Sequence, residues 1–140
     1  NMFCDCRELT SIPTLNTKSL INAYNMFSNC RKLITIPQLN FQNVTNVSYT
    51  FNQCAELTDF GGLLNIGQSF LTTAAEEFGN YRFNSCSKLT HESLMNIING
   101  LYDIKAKGCK AQQLLLGSIN KAKLTEEEIE IATNKGWNVS

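Results

Sequence analysis

Charge is scarce in this chain of 140 residues: only 17% are charged, and twelve basic residues cancel twelve acidic ones. No global field therefore favours nucleic acid or an anionic membrane surface. The runs that exist, Glu126-Glu127-Glu128 and Lys105 to Lys110, are short and local. Apolar runs are short as well. None approaches the roughly 20 residues that span a bilayer, which predicts no membrane insertion. Histidine occurs once, at His91, and proline twice, at Pro13 and Pro37. No phosphate-cradling Gly-Lys-Ser/Thr loop occurs, and Gly67-Gln68-Ser69-Phe70-Leu71 lacks the second glycine of a hydrolase elbow. The lysines do not interleave with aromatics as a nucleic-acid surface would require. These absences leave nothing catalytic to name, and the sequence predicts a non-enzyme without cofactor or metal.

What the chain has instead is a repeated phrase. Met26-Phe27-Ser28-Asn29-Cys30-Arg31-Lys32-Leu33-Ile34-Thr35-Ile36-Pro37-Gln38-Leu39-Asn40 is matched by Met2 to Asn16, and from Phe51 it returns as Phe-x-x-Cys-x-x-Leu-x-x-Phe. Phe3, Phe27 and Phe51 are spaced by 24 residues, and so are Cys6, Cys30 and Cys54, and Leu9, Leu33 and Leu57. Ile12, Ile36 and Phe60 form a fourth column, and Leu15, Leu39 and Leu63 a fifth. Five columns agreeing in register identify a repeat architecture. A further copy follows at Phe83, Cys86 and Leu89, 32 residues on, so the third unit carries an insertion of 8 residues. The units run near 2–25, 26–50 and 51–82, with a partial one at 83–89. Asn1 falls inside a unit, which predicts further repeats upstream.

A unit that makes one turn places like residues on top of each other at the strand spacing of a sheet, roughly 4.8 Å. Leu-Thr-Ser-Ile, Leu-Ile-Thr-Ile and Leu-Thr-Asp-Phe, rich in β-branched residues, are the predicted strands of a parallel stack. Pro13 and Pro37 follow them, where a missing N–H ends the ladder, and Gly61-Gly62 takes that role in the third unit. Asn43 to Tyr49 alternates and predicts a weaker second strand. The Met-Phe-Ser-Asn-Cys piece predicts a tight turn. Leu64 to Arg82 is a surface loop or a binding loop, with a short helix over Thr73–Gly79.

From residue 90 to 140 the pattern becomes helix, strand, helix. Thr90 caps an amphipathic helix over 91–104, Gln112 to Leu116 reads as a strand, and Thr125 with Glu128 forms a capping box for a helix reaching Lys135. Gly136 ends it, and Trp137 and Val139 form an apolar hook. Such a unit suits the cap that a repeat stack needs over its last apolar layer.

The phrase Met-Phe-x-x-Cys-x-x-Leu-x-x-Ile-Pro-x-Leu-Asn-x-x-x-Val-Thr-Asn-Val, clearest from Met26 to Val47, resembles the BspA-like leucine-rich repeats of bacterial surface proteins and of phage or prophage tail proteins. Leu94 to Asp103, Lys123-Leu124-Thr125 and Ala132 to Trp137 are similar to the closing segment of such proteins. Lys18-Ser19-Leu20-Ile21 departs from the pattern. The resemblance implies an α/β repeat solenoid, a leucine-rich-repeat-like right-handed coil of stacked short parallel strands with an α/β C-terminal cap. It implies an extracellular, cell-surface or phage-tail location and an adhesive role.

The cysteines of the repeated column sit beside core columns, so they read as buried thiols. Zinc would want paired ligands, and only Cys4-x-Cys6 comes near. Disulfides between ladder neighbours stay open for an exported protein. Cys4 and Cys109 read as unpaired thiols, and His91 as a surface residue. A polar strip remains: Thr10, Ser11, Thr35, Thr58 and Asp59 fall between the inward columns, bordered by Thr14, Gln38 and Asn43 or Asn46. Thr10, Ser11, Thr35, Gln38, Thr58 and Asp59 are the candidate ligand-binding residues, facing a protein or carbohydrate partner, with Tyr24 or Tyr49 as a stacking surface. Two other readings stand beside it: solvated strand residues with no ligand, and a structural spacer or assembly domain. A hydrolase would require His91 buried beside a serine and a carboxylate.

Overall fold

The computed structural model describes residues 1–70 and 81–140, so the helix expected over Thr73–Gly79 lies outside the described residues. Short parallel ladders join residues 24 apart. Strand β1 (Thr35–Ile36) pairs with β3 (Asp59–Phe60), and a bridge from Ser11 to Thr35 extends the ladder to the first unit. A second ladder pairs β2 (Leu39–Asn40) with β4 (Leu63–Leu64). The first ladder ends at Ile36, immediately before Pro37, as expected of a residue that has no N–H to give, and the second is a separate ladder that begins two residues beyond the proline. The second strand expected over Asn43–Tyr49 is reduced to one bridge, Asn22 to Asn46, supported by Ala23 N–H to Asn46 O at 2.8 Å and Thr45 N–H to Ile21 O at 2.9 Å.

The turn piece repeats faithfully. Phe3 N–H reaches Met26 O at 2.9 Å and Phe27 N–H reaches Thr50 O at 2.9 Å. Asp5, Asn29 and Gln53, one per unit, hold φ near 60°, a left-handed bend that Asn and Asp tolerate through their short polar side chains. Inside, Phe3, Phe27, Phe51 and Phe83 form one column of stacked rings with centroids 5.4, 5.7 and 4.9 Å apart. The cysteine column has a bonding role of its own. Cys30 Sγ donates to Phe3 O at 3.0 Å, Cys54 to Phe27 O at 3.2 Å and Cys86 to Phe51 O at 3.4 Å. Each thiol satisfies a carbonyl of the preceding unit while its sulfur packs as a small apolar group. All six cysteines are free. Burial pushes Cys30 up to about 11, and the adjacent Cys86 thiol with burial raises Cys54 further.

The last unit meets α1 (His91–Gly100), which Thr90 caps by accepting from Ser93 N–H at 3.1 Å. The helix expected through residue 104 stops at Gly100, where a Cβ would overlap the Leu63 carbonyl oxygen. Leu101 then turns to extended backbone and bridges to Ile66. Beyond it, β5 (Tyr81–Arg82), β6 (Gln112–Leu115) and β7 (Trp137–Val139) form a parallel sheet with β6 in the centre. The apolar hook is therefore a strand. Its Trp137 is fully buried against Phe70 and Tyr81, and its indole N–H donates to Tyr102 O at 3.0 Å.

Two shorter pieces complete the closing region. Helix α2 (Ser118–Lys121), a single turn, places the buried Asn120 amide 3.0 Å from the Cys86 and Leu116 carbonyls. Helix α3 (Glu126–Asn134) carries the capping box foreseen at Thr125 and Glu128.

Candidate functional site

Each Leu-x-x-Ile stretch turns its outer residues inward and its middle two outward, so the polar strip resolves into two columns. Ser11, Thr35 and Asp59 form one, all exposed and joined by the bridge and the β1–β3 register. Thr10, Ile34 and Thr58 form the other, linked by Ile34 N–H to Thr10 O at 2.9 Å and Thr58 N–H to Ile34 O at 3.0 Å. An exposed isoleucine interrupts this second column. The Thr58 hydroxyl is turned back onto Glu56 O at 3.0 Å, so it is occupied within its own unit. Gln38 stands apart from both columns. It lines a separate hollow of about 410 Å³ with Thr14, Asn16, Lys18 and Asn40.

The stack ends where β3 would need another strand beside it. Side chains of α1, together with the backbone N–H of its cap Thr90 on Thr58 O at 3.1 Å, supply that strand's hydrogen bonds. Ser93 Oγ accepts from Phe60 N–H at 2.8 Å and donates to Thr58 O at 2.9 Å, and Asn96 Nδ2 donates to Phe60 O at 3.0 Å. Buried backbone groups are thereby paired without a ladder. Because side chains do this work, the helix stands off the sheet, and a groove of about 270 Å³ opens between them. Thr35 and Asp59 line one wall, Thr90, Glu92 and Asn96 the other, and Pro37, Phe60 and Gly61 the floor. A Cβ at Gly61 would overlap the backbone of Gln38, so glycine keeps the two units in contact there.

The structure therefore brings two of the six candidate residues, Thr35 and Asp59, into one concave site and leaves Thr10, Ser11, Thr58 and Gln38 outside its lining. It adds Thr90, Glu92 and Asn96, which repeat spacing did not single out because they belong to the helix. Asn96 carried one signal: a polar residue set between Met95 and Ile97 in an apolar helical stretch. The side chains of Thr35, Asp59 and Glu92 make no hydrogen bond or ion pair within the described residues. Glu92 in the first turn of α1 is favoured there by the helix dipole.

His91 is exposed over 54% of its side chain, and its Nε2 lies 2.8 Å from Glu128 Oε1. The buried histidine beside a serine that a hydrolase requires is not its setting. Among the described residues, no group of three or more His, Cys, Asp or Glu side chains is placed to hold a metal ion, and no helix is long and apolar enough to cross a membrane. The chain matches no family model, no curated protein and no solved structure.

Proposed function

We propose that the chain is a recognition module built on a right-handed, leucine-rich-repeat-like solenoid with an α/β cap, of the kind it resembles among BspA-like proteins of bacterial surfaces and phage tails. It acts without catalysis, by binding a protein loop or a glycan in the groove between β3 and α1. One observation carries this reading. Thr35, Asp59 and Glu92 line a concavity with hydrogen-bonding groups that the fold leaves unused. Polar groups that fold the chain are paired; these three are available to a partner.

The experiment is adsorption of the immobilised chain to bacterial envelopes and to a panel of glycans and surface proteins, compared with an unrelated repeat protein. Retention by the wild type and its loss in Thr35→Ala/Asp59→Ala support the reading. Retention equal to the unrelated protein overturns it.

A further inference from the structure

Tyr24 and Tyr49 form an outward feature that folding does not explain. Their side chains are exposed, and their rings meet edge to face with centroids 6.1 Å apart. The position one unit before Tyr49 is Asn25, and both residues are left-handed, with φ of 54° at Asn25 and 60° at Tyr49. Asparagine suits that conformation, whereas tyrosine is rare there because its Cβ crowds the carbonyl that follows. The tyrosine thus occupies a place where the backbone favours asparagine, and it stays 49% exposed.

The stretches of chain that carry the pair are uncharged. Residues 19–30 and 41–55 contain no charged side chain. Asn22 and Asn46, bridged across the units, each use Oδ1 to accept a backbone N–H two residues on, that of Tyr24 at 2.8 Å and of Ser48 at 3.0 Å. Their Nδ2 groups have no hydrogen-bond partner within the described residues, and strand pairing sets the two residues roughly 4.8 Å apart. Two amide donors one strand apart, close in sequence to an exposed aromatic pair and on stretches of chain without charge, match a neutral polyol that has an apolar ring face.

We propose that Tyr24 and Tyr49, with the amides of Asn22 and Asn46, form a binding site for a neutral pyranose sugar. The C–H face of the sugar packs on a tyrosine ring, and its hydroxyl oxygens accept from the asparagine amides. The absence of charge from residues 19–30 and 41–55 favours a neutral sugar over an anionic one or a cationic peptide. None of the four residues lines the groove at α1, so this site stands independently of it.

The test uses the intact chain with methyl β-D-glucopyranoside, methyl β-D-galactopyranoside and methyl α-D-mannopyranoside in saturation-transfer NMR. Saturation is expected to pass from the tyrosine ring protons to one face of at least one glycoside. Tyr49→Asn is expected to weaken that binding about tenfold, the loss of one stacking ring, while the thermal midpoint stays level or rises. Asp59→Asn is expected to leave sugar binding unchanged, which separates this site from the groove. Silence with all three glycosides overturns the proposal, as does a Tyr49→Asn variant that binds undiminished. A lowered midpoint in that variant also overturns it, since Tyr49 would then be a structural residue. Capture of a peptide at the tyrosine pair, with sugars excluded, assigns the surface to protein instead.

Discussion

The two ends of the unit stack are finished in different ways. At the first unit, Met2 is exposed and Phe3, Leu9 and Leu15 are half covered, and the strand edge at Thr10 and Ser11 stands open. At the third unit, α1 lies across the edge, and Ser93 and Asn96 take the hydrogen bonds of a missing strand. The same phrase is therefore a half-packed surface at one end and fully buried core at the other. The groove exists only at the closed end, because it is the gap between a sheet edge and a helix that reaches it with side chains.

The sharpest way to break this comparison is to remove the same residue at both ends. Phe51→Ala, between Phe27 and Phe83 in the ring column, is expected to cost about 3–5 kcal/mol in urea unfolding. Phe3→Ala, half covered and stacked on one side only, is expected to cost less than half of that. Equal losses would mean that the ends are packed alike.

Ser93→Ala tests the closure itself. It leaves Phe60 N–H without its partner and takes one of two donors from Thr58 C=O, which keeps the Thr90 N–H at 3.1 Å, and is expected to cost about 2 kcal/mol, read by the same unfolding curves. Ser11→Ala, on the open edge, is expected to cost nothing measurable.

The thiol column predicts a pH dependence. Cys30 is raised in the fold from an ordinary value of 9.0 to about 11, so its neutral form is the one the fold favours. A raised value gives stability that is complete below pH 9.0 and is lost as pH rises through about 11. Unfolding curves between those values should show the decline, and Cys30→Ala should make it shallower, the remainder coming from Cys54 and Tyr81, which are raised as well. A decline unchanged in that variant would assign the effect to other groups.

The smallest effect concerns the outer charges. Glu8, Lys32, Glu56 and Lys88 occupy one column and alternate in sign, with Lys32 and Lys88 each paired to the glutamate before it. Exposed pairs contribute little, so Lys32→Glu, which aligns three carboxylates, is expected to cost about 0.5 kcal/mol, and less at high salt.

The interior of the stack was legible because five columns repeat at a fixed step, and a residue that must fill the same hole in each unit leaves the same letter each time. Thr90, the Thr125–Glu128 box and Gly136 were legible for a local reason: helix ends need particular side chains. Other elements had no such mark. Strands β2 and β4 are two residues long, too short for any periodicity, and α2 is a single turn. Trp137 gave only an apolar signal, which a hook and a strand share. The groove was half legible. Thr35 and Asp59 lie between the inward columns, but Glu92 and Asn96 become neighbours of the sheet only through the tertiary placement of α1. Spacing does not reveal that the Thr58 hydroxyl donates to Glu56 O.

Residue-resolved amide hydrogen exchange tests the central claim, a stack of 24-residue units closed by side chains of α1, most directly. Ile34 N–H bonds to Thr10 O in the exposed first unit, Thr58 N–H to Ile34 O within the stack, and Phe60 N–H to Ser93 Oγ beneath the helix. All three should be protected, with Ile34 the first to exchange and Phe60 among the last, and Ser93→Ala should release Phe60 alone. A Phe60 amide that exchanges as fast as an exposed loop, or an Ile34 amide that outlasts it, would contradict the account.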